Sequence, residues 1–243
     1  MTIDISIMIP ALNEEENIRG AYETVKGALI KLGLSHEIYI IDDGSNDGTA
    51  TVVKKIVLED IENTYLVTNP SNLGQGASFN KILPLIKGKR FAWFPGDNVI
   101  SQDLIINILK RSSDAQMVLT YLLNQEVRGS FRYFVSTVFT AIYNLTFGYF
   151  LHYFNGPGVY SSDMLKRLQI KAKRFSFCAE IHLKMLEAGC SYIEIPGHLT
   201  GAENSSAISF RNLMEVIATY IRLVIELRIL GRRGINVNAN RLP

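Results

Sequence analysis

Carboxylates follow two mostly apolar runs in the first half of the chain. The stretch 39–49 reads YIIDDGSNDGT, so an apolar run ends in Asp42 and Asp43 before a turn rich in glycine, serine and asparagine. A later run, 90–94, is followed by Pro-Gly-Asp-Asn, which contains Asp97. Carboxylates accept hydrogen bonds from nucleobase N–H groups and sugar hydroxyls, and they bind divalent cations. These residues therefore predict a polar ligand site at the ends of buried strands.

Strands and helices are predicted to alternate over the first half. Short apolar runs bounded by Gly, Pro or Asn predict strands, and apolar residues at helical spacing between them predict helices. The predicted strands are 3–10, 37–42, 64–68, 90–94 and 117–122. The predicted helices are 14–32 with Asn13 as N-cap, 49–59, 77–87 and 102–111. Such alternation predicts βαβ units and a parallel sheet, so all strand-to-helix loops should open at one sheet edge. These loops are 10–14, 42–47, 69–76 and 95–98.

The composition narrows the class of protein. A chain of 243 residues can bury a substantial core, and 25 Lys plus Arg against 23 Asp plus Glu give no reason to expect a nucleic-acid partner. Cys178 and Cys190 have neither CxxC nor zinc-ligand spacing, which favours a reducing compartment. The N-terminus lacks the basic and apolar regions of a signal peptide, so we expect a cytoplasmic protein.

The second half is richer in aromatic residues. Residues 133–151 carry no formal charge, and ten aromatic residues lie within 131–154. This length approaches that of a membrane span, yet Ser136, Thr140 and Asn144 form a polar stripe, which favours an interfacial or buried helix. Further helices are predicted at 163–168 and 177–189, and a strand at 190–195.

The C-terminal part is predicted to form an amphipathic helix, 212–230. Its polar residues, Glu215, Thr219, Arg222 and Glu226, form one narrow stripe on an otherwise apolar helix. Such a helix needs a cover, which can be the domain, a second copy or a membrane surface. Six arginines after residue 210 suit an anionic surface. We therefore expect a homo-oligomer or a peripheral contact with the inner face of the membrane.

Three ordered motifs resemble a known family. They are PALNEE at 10–15, DDGSNDGT at 42–49 and NLGQGA at 72–77, and they resemble the successive signatures of family 2 glycosyltransferases with the GT-A fold. The uncharged aromatic stretch and IEIP at 193–196 look most like the dolichyl- and polyprenyl-phosphate sugar transferases, the relatives of dolichol-phosphate mannose synthase. The resemblance covers residues 3–200. It implies an α/β GT-A fold, a Rossmann-like, mostly parallel sheet flanked by helices, with amphipathic or interfacial helices at the C-terminus.

The resemblance also divides the chain and assigns a donor site. It implies a nucleotide-sugar-binding half, an acceptor-binding half, an amphipathic helix and a disordered tail, at 1–123, 124–210, 211–230 and 231–243. Donor binding is assigned to Pro10, Leu12, Glu14, Asp42, Asp43, Gly44, Asn72, Gly76 and Asp97. Within this set, Glu14 is placed for the ribose, and Asp42 and Asp43 for the base and ribose. The alternatives are a first-turn helix-dipole partner for Glu14, a helix N-cap or turn former for Asp43, and a plain tight turn at 72–76.

Asp97 is the catalytic and metal-binding candidate that the resemblance implies. A divalent cation there, Mg²⁺ or Mn²⁺, would stabilise the departing nucleoside diphosphate. The family generally has Asp-x-Asp at this place, whereas this chain has Pro-Gly-Asp followed by Asn98 and Val99. Asn98, or His198 from a later loop, is a candidate second ligand. The alternative is that Asp97 only shapes a turn.

Three further residues are candidates for contacts with a phosphate or the acceptor. Arg128 and Arg132 are four residues apart, on one face if helical, and guanidinium groups bind phosphate in bidentate fashion. Glu180 precedes an apolar helical stretch, as a glutamate often does in the relatives. The alternatives are solvated arginines beside an apolar helix and a structural role for Glu180.

The predicted reaction is transfer of a sugar, with inversion, from a UDP- or GDP-sugar to a polyprenyl phosphate or a lipid-linked glycan. A phosphate acceptor is already anionic and needs no base. The hydroxyl of a capsular or lipopolysaccharide glycan would need one, for which Glu180 and Glu203 are candidates. A nucleotide-sugar binder without catalysis is the competing class. A Rossmann oxidoreductase is disfavoured because no GxGxxG follows the first strand.

Overall fold

Strands and helices alternate along the chain in the computed structural model, which describes residues 2–124, 129–200, 210–231 and 239–242. The strands are β1 (Ile5–Ala11), β2 (His36–Asp42), β3 (Thr64–Thr68), β4 (Arg90–Trp93), β5 (Met117–Leu122), β6 (Gly158–Ser161), β7 (Ser191–Gly197) and β8 (Asn240–Arg241). The helices are α1 (Ile18–Lys31), α2 (Thr49–Glu59), α3 (Gln75–Ile82), α4 (Gln102–Lys110), α5 (Ser130–Phe147), α6 (Ser162–Arg167), α7 (Phe177–Glu187) and α8 (Phe210–Val224). A π-helical turn, Ile225–Ile229, continues α8.

The strands of the described residues join one sheet in the order β3-β2-β1-β4-β6-β5-β7-β8. Strands β1 to β4 pair in parallel, and so do β5 and β7, which confirms the predicted parallel arrangement. Strand β6, which we did not predict, lies between β4 and β5 and is antiparallel to both. Its four residues follow Asn-Gly-Pro and lead directly into α6, so the local pattern indicates a loop rather than a strand. Only its pairing with two neighbours makes it a strand.

Side chains alternate to fill cores on both faces of the sheet. In β1, Ile7 and Ile9 enter one core, whereas Met8 enters the other. Helices α1, α2 and α4 cover the first core, and α3, α5, α6, α7 and α8 contribute to the second. A sheet covered on both faces needs apolar residues at nearly every strand position, which explains the continuous apolar runs in the sequence.

The beginning of α1 differs from the prediction. Asn13 is not its N-cap, since α1 begins at Ile18 after a turn in which the Glu14 carbonyl accepts the N–H of Ile18 at 2.8 Å. Asn13 has a φ of 57°, in the left-handed region that asparagine adopts more readily than most residues. Asn13 therefore turns the chain between β1 and α1 instead of capping the helix.

Helices α5 and α8 lie side by side on the second core. The rings of Tyr143 and Phe147 lie 5.4 and 6.3 Å from the ring of Tyr220 on α8. The Oγ1 atom of Thr146 is 2.7 Å from the Tyr220 hydroxyl. Within the part of the chain that the structure describes, no helix has the length and hydropathy to cross a membrane.

A short strand forms at residues 240–241 of the tail, where we predicted disorder, and residues 232–238 and 243 of that prediction lie outside the described residues. Asn240 and Arg241 form β8, which pairs in parallel with β7. The Arg241 guanidinium lies 3.2 Å from the carboxylate of Glu194, whose side chain is only 1% exposed. His152 also donates its backbone N–H to Glu194 at 2.7 Å. A buried carboxylate requires such partners, and this long-range ion pair is not visible in the local sequence of the tail.

We predict that buried His182 makes stability depend on pH. Burial lowers its pKa to about 3, and its Nε2 lies 2.9 Å from the Tyr160 hydroxyl. The imidazole of the unfolded chain has a pKa of about 6.5. Below that pH the unfolded state therefore binds a proton that the folded state excludes. Stability should therefore fall by about 2 kcal/mol between pH 7 and pH 5. The free energy of unfolding in urea should show this loss in the wild type and a smaller loss in His182→Gln. An equal dependence on pH in the two proteins would contradict the role of His182.

Candidate functional site

The loops after β1, β2 and β4 meet where the strand order reverses at the carboxyl edge of the sheet. The N–H of Asp43 donates to the Ala11 carbonyl at 2.9 Å, and the N–H of Gly96 donates to the Pro10 carbonyl at 3.1 Å. The N–H of Asn69, after β3, donates to the last carbonyl of β2 at 2.8 Å. The structure thus brings together the loops that we predicted to converge. Such a reversal leaves a crevice in which open α/β sheets bind ligands.

The loops after β1 and β2 are joined by reciprocal hydrogen bonds. The Asn13 N–H donates to the Ser45 hydroxyl, and the Asn46 N–H donates back to the Asn13 side-chain oxygen, both at 2.9 Å. The Glu14 N–H donates to Thr49 Oγ1 at 2.8 Å. Polar residues in these two motifs therefore hold the loops to each other, which a ligand site requires if its groups are to stay in place.

Glu14 belongs to the loop after β1, one of the loops that meet at the crevice, and its side chain is partly buried. Buried Pro10 and half-buried Leu12 lie just before Glu14. Its carboxylate accepts a hydrogen bond from Asn17 Nδ2 at 2.9 Å. Burial raises the pKa of Glu14, and the charge of Asp47 adds to the rise, although the hydrogen bond from Asn17 opposes it. The carboxylate of Glu14 is therefore partly desolvated. Such a carboxylate can accept a hydrogen bond from a sugar hydroxyl.

Asp42 and Asp43 differ in their contacts. The Asp43 carboxylate is buried and accepts hydrogen bonds from the N–H groups of Leu73 and Gly74, at 3.0 and 2.8 Å, and from Asn69 Nδ2 at 2.8 Å. Asp42 accepts one from the N–H of the serine that follows Gly44, at 2.9 Å. Asp43 thus shapes the loop after β3, whereas the carboxylate of Asp42 keeps more capacity for a ligand. Both side chains are buried, with 3% of Asp42 and 5% of Asp43 exposed, and the prediction that both carboxylates contact the nucleoside stays a prediction.

Two glycines of the motifs are needed for close packing of loops. Gly44 has a φ of 78°, and a Cβ there would lie 2.5 Å from backbone atoms of Ser71. A Cβ on Gly76 would lie 2.2 Å from the Ala172 carbonyl oxygen. The close approach that the structure shows at Gly44 is to the loop after β3, and the assignment of Gly44 to donor binding stays a prediction.

A segment that the sequence did not single out supports the loop after β3. The Ala77 N–H donates to the Lys173 carbonyl at 3.0 Å, and Arg174 Nη2 donates to the carbonyl of Asn72 at 3.3 Å. This segment comes from the second half of the chain, about a hundred residues away in sequence. The only local signal is the basic run KAKR at 171–174, which an exposed loop would also explain.

Asp97 lies on the loop after β4, beside the two joined loops. Its side chain is partly exposed, and its Oδ1 accepts the N–H of Val99 at 3.3 Å. The side chain of Asn98 turns toward α1, where its Oδ1 accepts the hydroxyl of Thr24 at 3.1 Å. The side-chain oxygen of Asn98 is thus engaged with α1, and Asn98 would have to give up this hydrogen bond to act as the predicted second metal ligand.

The loop after β7 runs beside the Asp97 loop. Ile100 and Leu199 form a β-bridge, and the N–H and hydroxyl of Thr200 both donate to the Val99 carbonyl at 3.0 Å. Because this pairing is antiparallel, exposed His198 lies on the side of residue 101 and not on the side of Asp97, and its role as a second metal ligand stays a prediction. No group of three His, Cys, Asp or Glu residues forms a metal cluster within residues 2–124, 129–200, 210–231 and 239–242. One carboxylate at the mouth of the crevice fits a cation that takes most of its oxygen ligands from a diphosphate and water.

Two of the three phosphate or acceptor candidates lie within the residues that the structure describes. Arg128 lies outside the described residues, as does Glu203. Arg132 lies half-buried in the first turn of α5. Glu180 is buried in α7, where its carboxylate binds both Nη atoms of Arg222, at 2.7 and 2.8 Å, and Lys184 at 2.9 Å.

The surroundings of Glu180 exclude it as a base or acceptor ligand. Burial raises the pKa of its carboxyl, but the contacts with Arg222 and Lys184 and the N–H of Ala172 outweigh burial, and the net pKa is lowered. A carboxylate held in its charged form by buried cations neither takes up a proton readily nor reaches an acceptor. The prediction for Glu180 is therefore wrong, and its role is to hold α8 and the segment before α7 to the domain.

Comparison with known proteins identifies the family. The sequence profile described as "Glycosyl transferase family 2" matches residues 6–162. The chain belongs to glycosyl transferase family 2. Among curated relatives of this family 2 glycosyltransferase, it is 26% identical to the low-salt glycan biosynthesis hexosyltransferase Agl6 of Haloferax volcanii, over 79% of this chain and 46% of that protein. It is 27% identical to dodecaprenyl-phosphate galacturonate synthase of Rhizobium johnstonii, over 40% of this chain and 28% of that protein. The chain thus spans less than half of either relative.

Solved structures confirm the fold of the family 2 glycosyltransferase. Glucosyl-3-phosphoglycerate synthase from Mycobacterium tuberculosis, solved with Mn²⁺, UDP-glucose and phosphoglyceric acid, matches with a TM-score of 0.65. The match covers 89% of this chain and 79% of that one, at 17% identity. A second structure of that synthase contains Mg²⁺ and UDP. The predicted α/β GT-A fold with a mostly parallel sheet is confirmed.

Proposed function

We propose that this family 2 glycosyltransferase transfers a hexosyl group, with inversion, from a UDP- or GDP-sugar to a polyprenyl phosphate or a lipid-linked glycan. The observation that carries the proposal is the meeting of three loops at one crevice. The joined loops after β1 and β2 bring Glu14 and Asp42 to that crevice, and the loop after β4 adds Asp97. Two carboxylates suit the hydroxyls and N–H groups of a nucleoside, and the third suits the diphosphate end of the same donor.

Within the proposed site, each carboxylate has a separate task. Glu14 accepts hydrogen bonds from ribose hydroxyls, and Asp42 accepts one from the base or ribose. Asp43 holds the loop after β3 against which the donor lies. Asp97 is the residue that would hold Mg²⁺ or Mn²⁺, and such a cation neutralises the charge that develops on the departing nucleoside diphosphate. The Mn²⁺ and Mg²⁺ of the structural neighbour support a divalent cation here.

A polyprenyl phosphate is the acceptor that we favour. Its phosphate oxygen is anionic at neutral pH and attacks the anomeric carbon without a base. Glu180, one of the two carboxylates proposed as a base for a hydroxyl acceptor, is buried and ion-paired. The relative whose name contains dodecaprenyl phosphate supports the same choice. A glycan hydroxyl is the second candidate for the acceptor, because the relative from Haloferax volcanii is named as a hexosyltransferase of glycan biosynthesis.

Release of the nucleotide tests the proposal. We expect UDP or GDP to appear at a rate that depends on both Mn²⁺ and a short-chain polyprenyl phosphate, when the protein is mixed with UDP- or GDP-hexoses. A glycan acceptor without a phosphate should give no more release than water. Tight binding of a nucleotide sugar with no release on either acceptor would instead identify a binding protein that has lost catalysis. Binding of NAD in place of both nucleotides would contradict the assignment of the site.

A further inference from the structure

Helix α8 turns its polar residues toward the domain together with core residues such as Leu223, and it leaves apolar residues exposed on its outer side. Asn212 and Thr219 are each only 5% exposed, whereas Ile217 and Ile221 are 44% and 52% exposed. A surface helix of a globular protein normally has the opposite arrangement, because its apolar stripe packs on the core. The sequence showed a narrow polar stripe on this helix, but it did not show that the stripe faces the domain.

Ion pairs fix α8 in this orientation. Arg222 binds buried Glu180 through both Nη atoms, and Glu226 lies 2.9 Å from Lys184. Nearer the start of the helix, the Glu215 carboxylate accepts the hydroxyl of Ser176 at 2.8 Å. Rotation of α8 to bury its apolar side would remove both Arg222 hydrogen bonds from the buried carboxylate of Glu180 and leave Lys184 as its only cation among the described residues, at a large cost. The outward apolar side is therefore a built feature of the fold.

Helix α5 extends this surface. Packed beside α8 through Tyr143 and Phe147, it also exposes large apolar side chains on its outer side. We call the combined surface the outer apolar face. Its members are Phe131, Phe134, Val138, Ile142 and Leu145 of α5, and Leu213, Met214, Ile217, Ile221 and Ile225 of α8 with its π-helical turn. Monomeric soluble proteins rarely expose a contiguous apolar surface of this extent without a binding role.

Exposed basic residues lie at one end of the outer apolar face, near the start of α8, whereas at the other end Arg228 pairs with Glu187. Helix α5 contains no Asp or Glu, and the two glutamates of α8 and its π-helical turn face the domain. Arg211 is exposed at the start of α8, and Lys173 is exposed next to Arg174, whose Nη1 donates to the side-chain oxygen of Asn212. Apolar and aromatic residues with basic residues at the edge are typical of helices that lie in a membrane interface.

We propose that the outer apolar face docks on a lipid bilayer that contains anionic headgroups. Lipid phosphates supply the anions that Arg211 and Lys173 would meet. A second copy of the chain would bring the same acid-free face, so neither cation would gain a carboxylate partner from it. The bilayer is therefore favoured over a dimer. This proposal goes beyond the reaction proposed above and does not depend on which acceptor the enzyme uses.

Vesicle co-sedimentation tests the proposal with the whole chain. Vesicles of phosphatidylcholine with phosphatidylglycerol should bind the wild type, and pure phosphatidylcholine vesicles or high salt should reduce binding. The double variant Ile217→Glu/Ile221→Glu should bind at least about tenfold more weakly. Arg211→Gln should bind about fivefold more weakly to the anionic vesicles alone. Leu58→Glu is the matched control, because Leu58 is 75% exposed on α2, over the other core, and its variant should bind as the wild type does.

Sedimentation velocity without lipid tests whether a second copy of the chain, instead of a bilayer, covers the outer apolar face. We expect a monomer for the wild type and for each variant, with unchanged thermal unfolding and nucleotide binding. A wild-type dimer that the double variant converts to a monomer would identify a second copy as the occupant and overturn the proposal. Equal vesicle binding by the wild type and the double variant, or no binding by the wild type, would also overturn it.

Discussion

Asp97→Ala is expected to lower the rate of sugar transfer by about a hundredfold to a thousandfold, the usual effect of losing one electrostatic stabiliser of a transition state. The variant would lose the carboxylate that is proposed to hold the divalent cation at the diphosphate. Because the Asp97 side chain is partly exposed on a loop, the free energy of unfolding should change by less than about 1 kcal/mol. Steady-state release of UDP or GDP measures the first effect, and urea unfolding measures the second.

Asp103→Asn is the matched control for Asp97→Ala. Asp103 is an exposed carboxylate in the first turn of α4, on the same connection as Asp97. Its removal changes the net charge by the same amount but should leave the transfer rate within about twofold of the wild type. Full activity of Asp97→Ala would show that the metal and catalytic assignment is wrong. A loss of activity that only follows a loss of folded protein would also refute it.

Asp43→Ala and Asp42→Ala are expected to differ in stability. Removal of the Asp43 carboxylate leaves the N–H groups of Leu73 and Gly74 and the amide of Asn69 without their acceptor, and it should cost about 3 kcal/mol. Asp42 accepts one hydrogen bond within the loop, so Asp42→Ala should cost about 1 kcal/mol. Both variants should weaken donor binding, Asp42→Ala by loss of a contact and Asp43→Ala by loss of the loop shape.

Calorimetry and unfolding together test this pair of assignments. Titration with UDP or GDP should show at least about tenfold weaker binding to Asp42→Ala, although that protein remains nearly as stable as the wild type. The Asp43→Asn variant is the useful comparison, because its amide keeps one oxygen as an acceptor and should recover part of the stability. Unchanged nucleotide affinity in Asp42→Ala would remove Asp42 from the proposed donor site. Equal losses of stability in the two alanine variants would contradict their separation into ligand and loop roles.

The parts of the fold that follow from local pattern were predictable. Strands β3 and β5 and helix α2 match the predicted bounds, because each is a run of one periodicity ended by turn residues. Strands β6 and β8 were missed because they are short and are strands only through pairing with β4, β5 and β7. The outward apolar side of α8 was also hidden, since it depends on the ion pair between Arg222 and Glu180, which lie 42 residues apart.

In the candidate site, too, the local sequence predicted some features, whereas contacts distant in sequence determine the others. The motifs located the loops, and parallel strands explain why Glu14, Asp42 and Asp97 should approach one edge. The partner of each side chain is set by contacts distant in sequence, as when Asp43 accepts the N–H of Gly74, 31 residues away. Asn98 turned to α1 and Glu180 turned to α8 for the same reason. Residue type and spacing thus predicted which loops would meet at the proposed site, but not which contacts each carboxylate would make within the protein.

The most direct test of the proposed reaction is the mass of its lipid product. Purified protein, Mn²⁺ and a short-chain polyprenyl phosphate would be incubated with a panel of UDP- and GDP-hexoses, and the extracted lipid would be analysed by mass spectrometry. We predict a polyprenyl phosphate that has gained one hexosyl residue and kept its single phosphate, formed by the wild type and by Asp103→Asn but not by Asp97→Ala. No glycosylated lipid from any donor, with transfer instead to a glycan hydroxyl, would contradict the proposed acceptor.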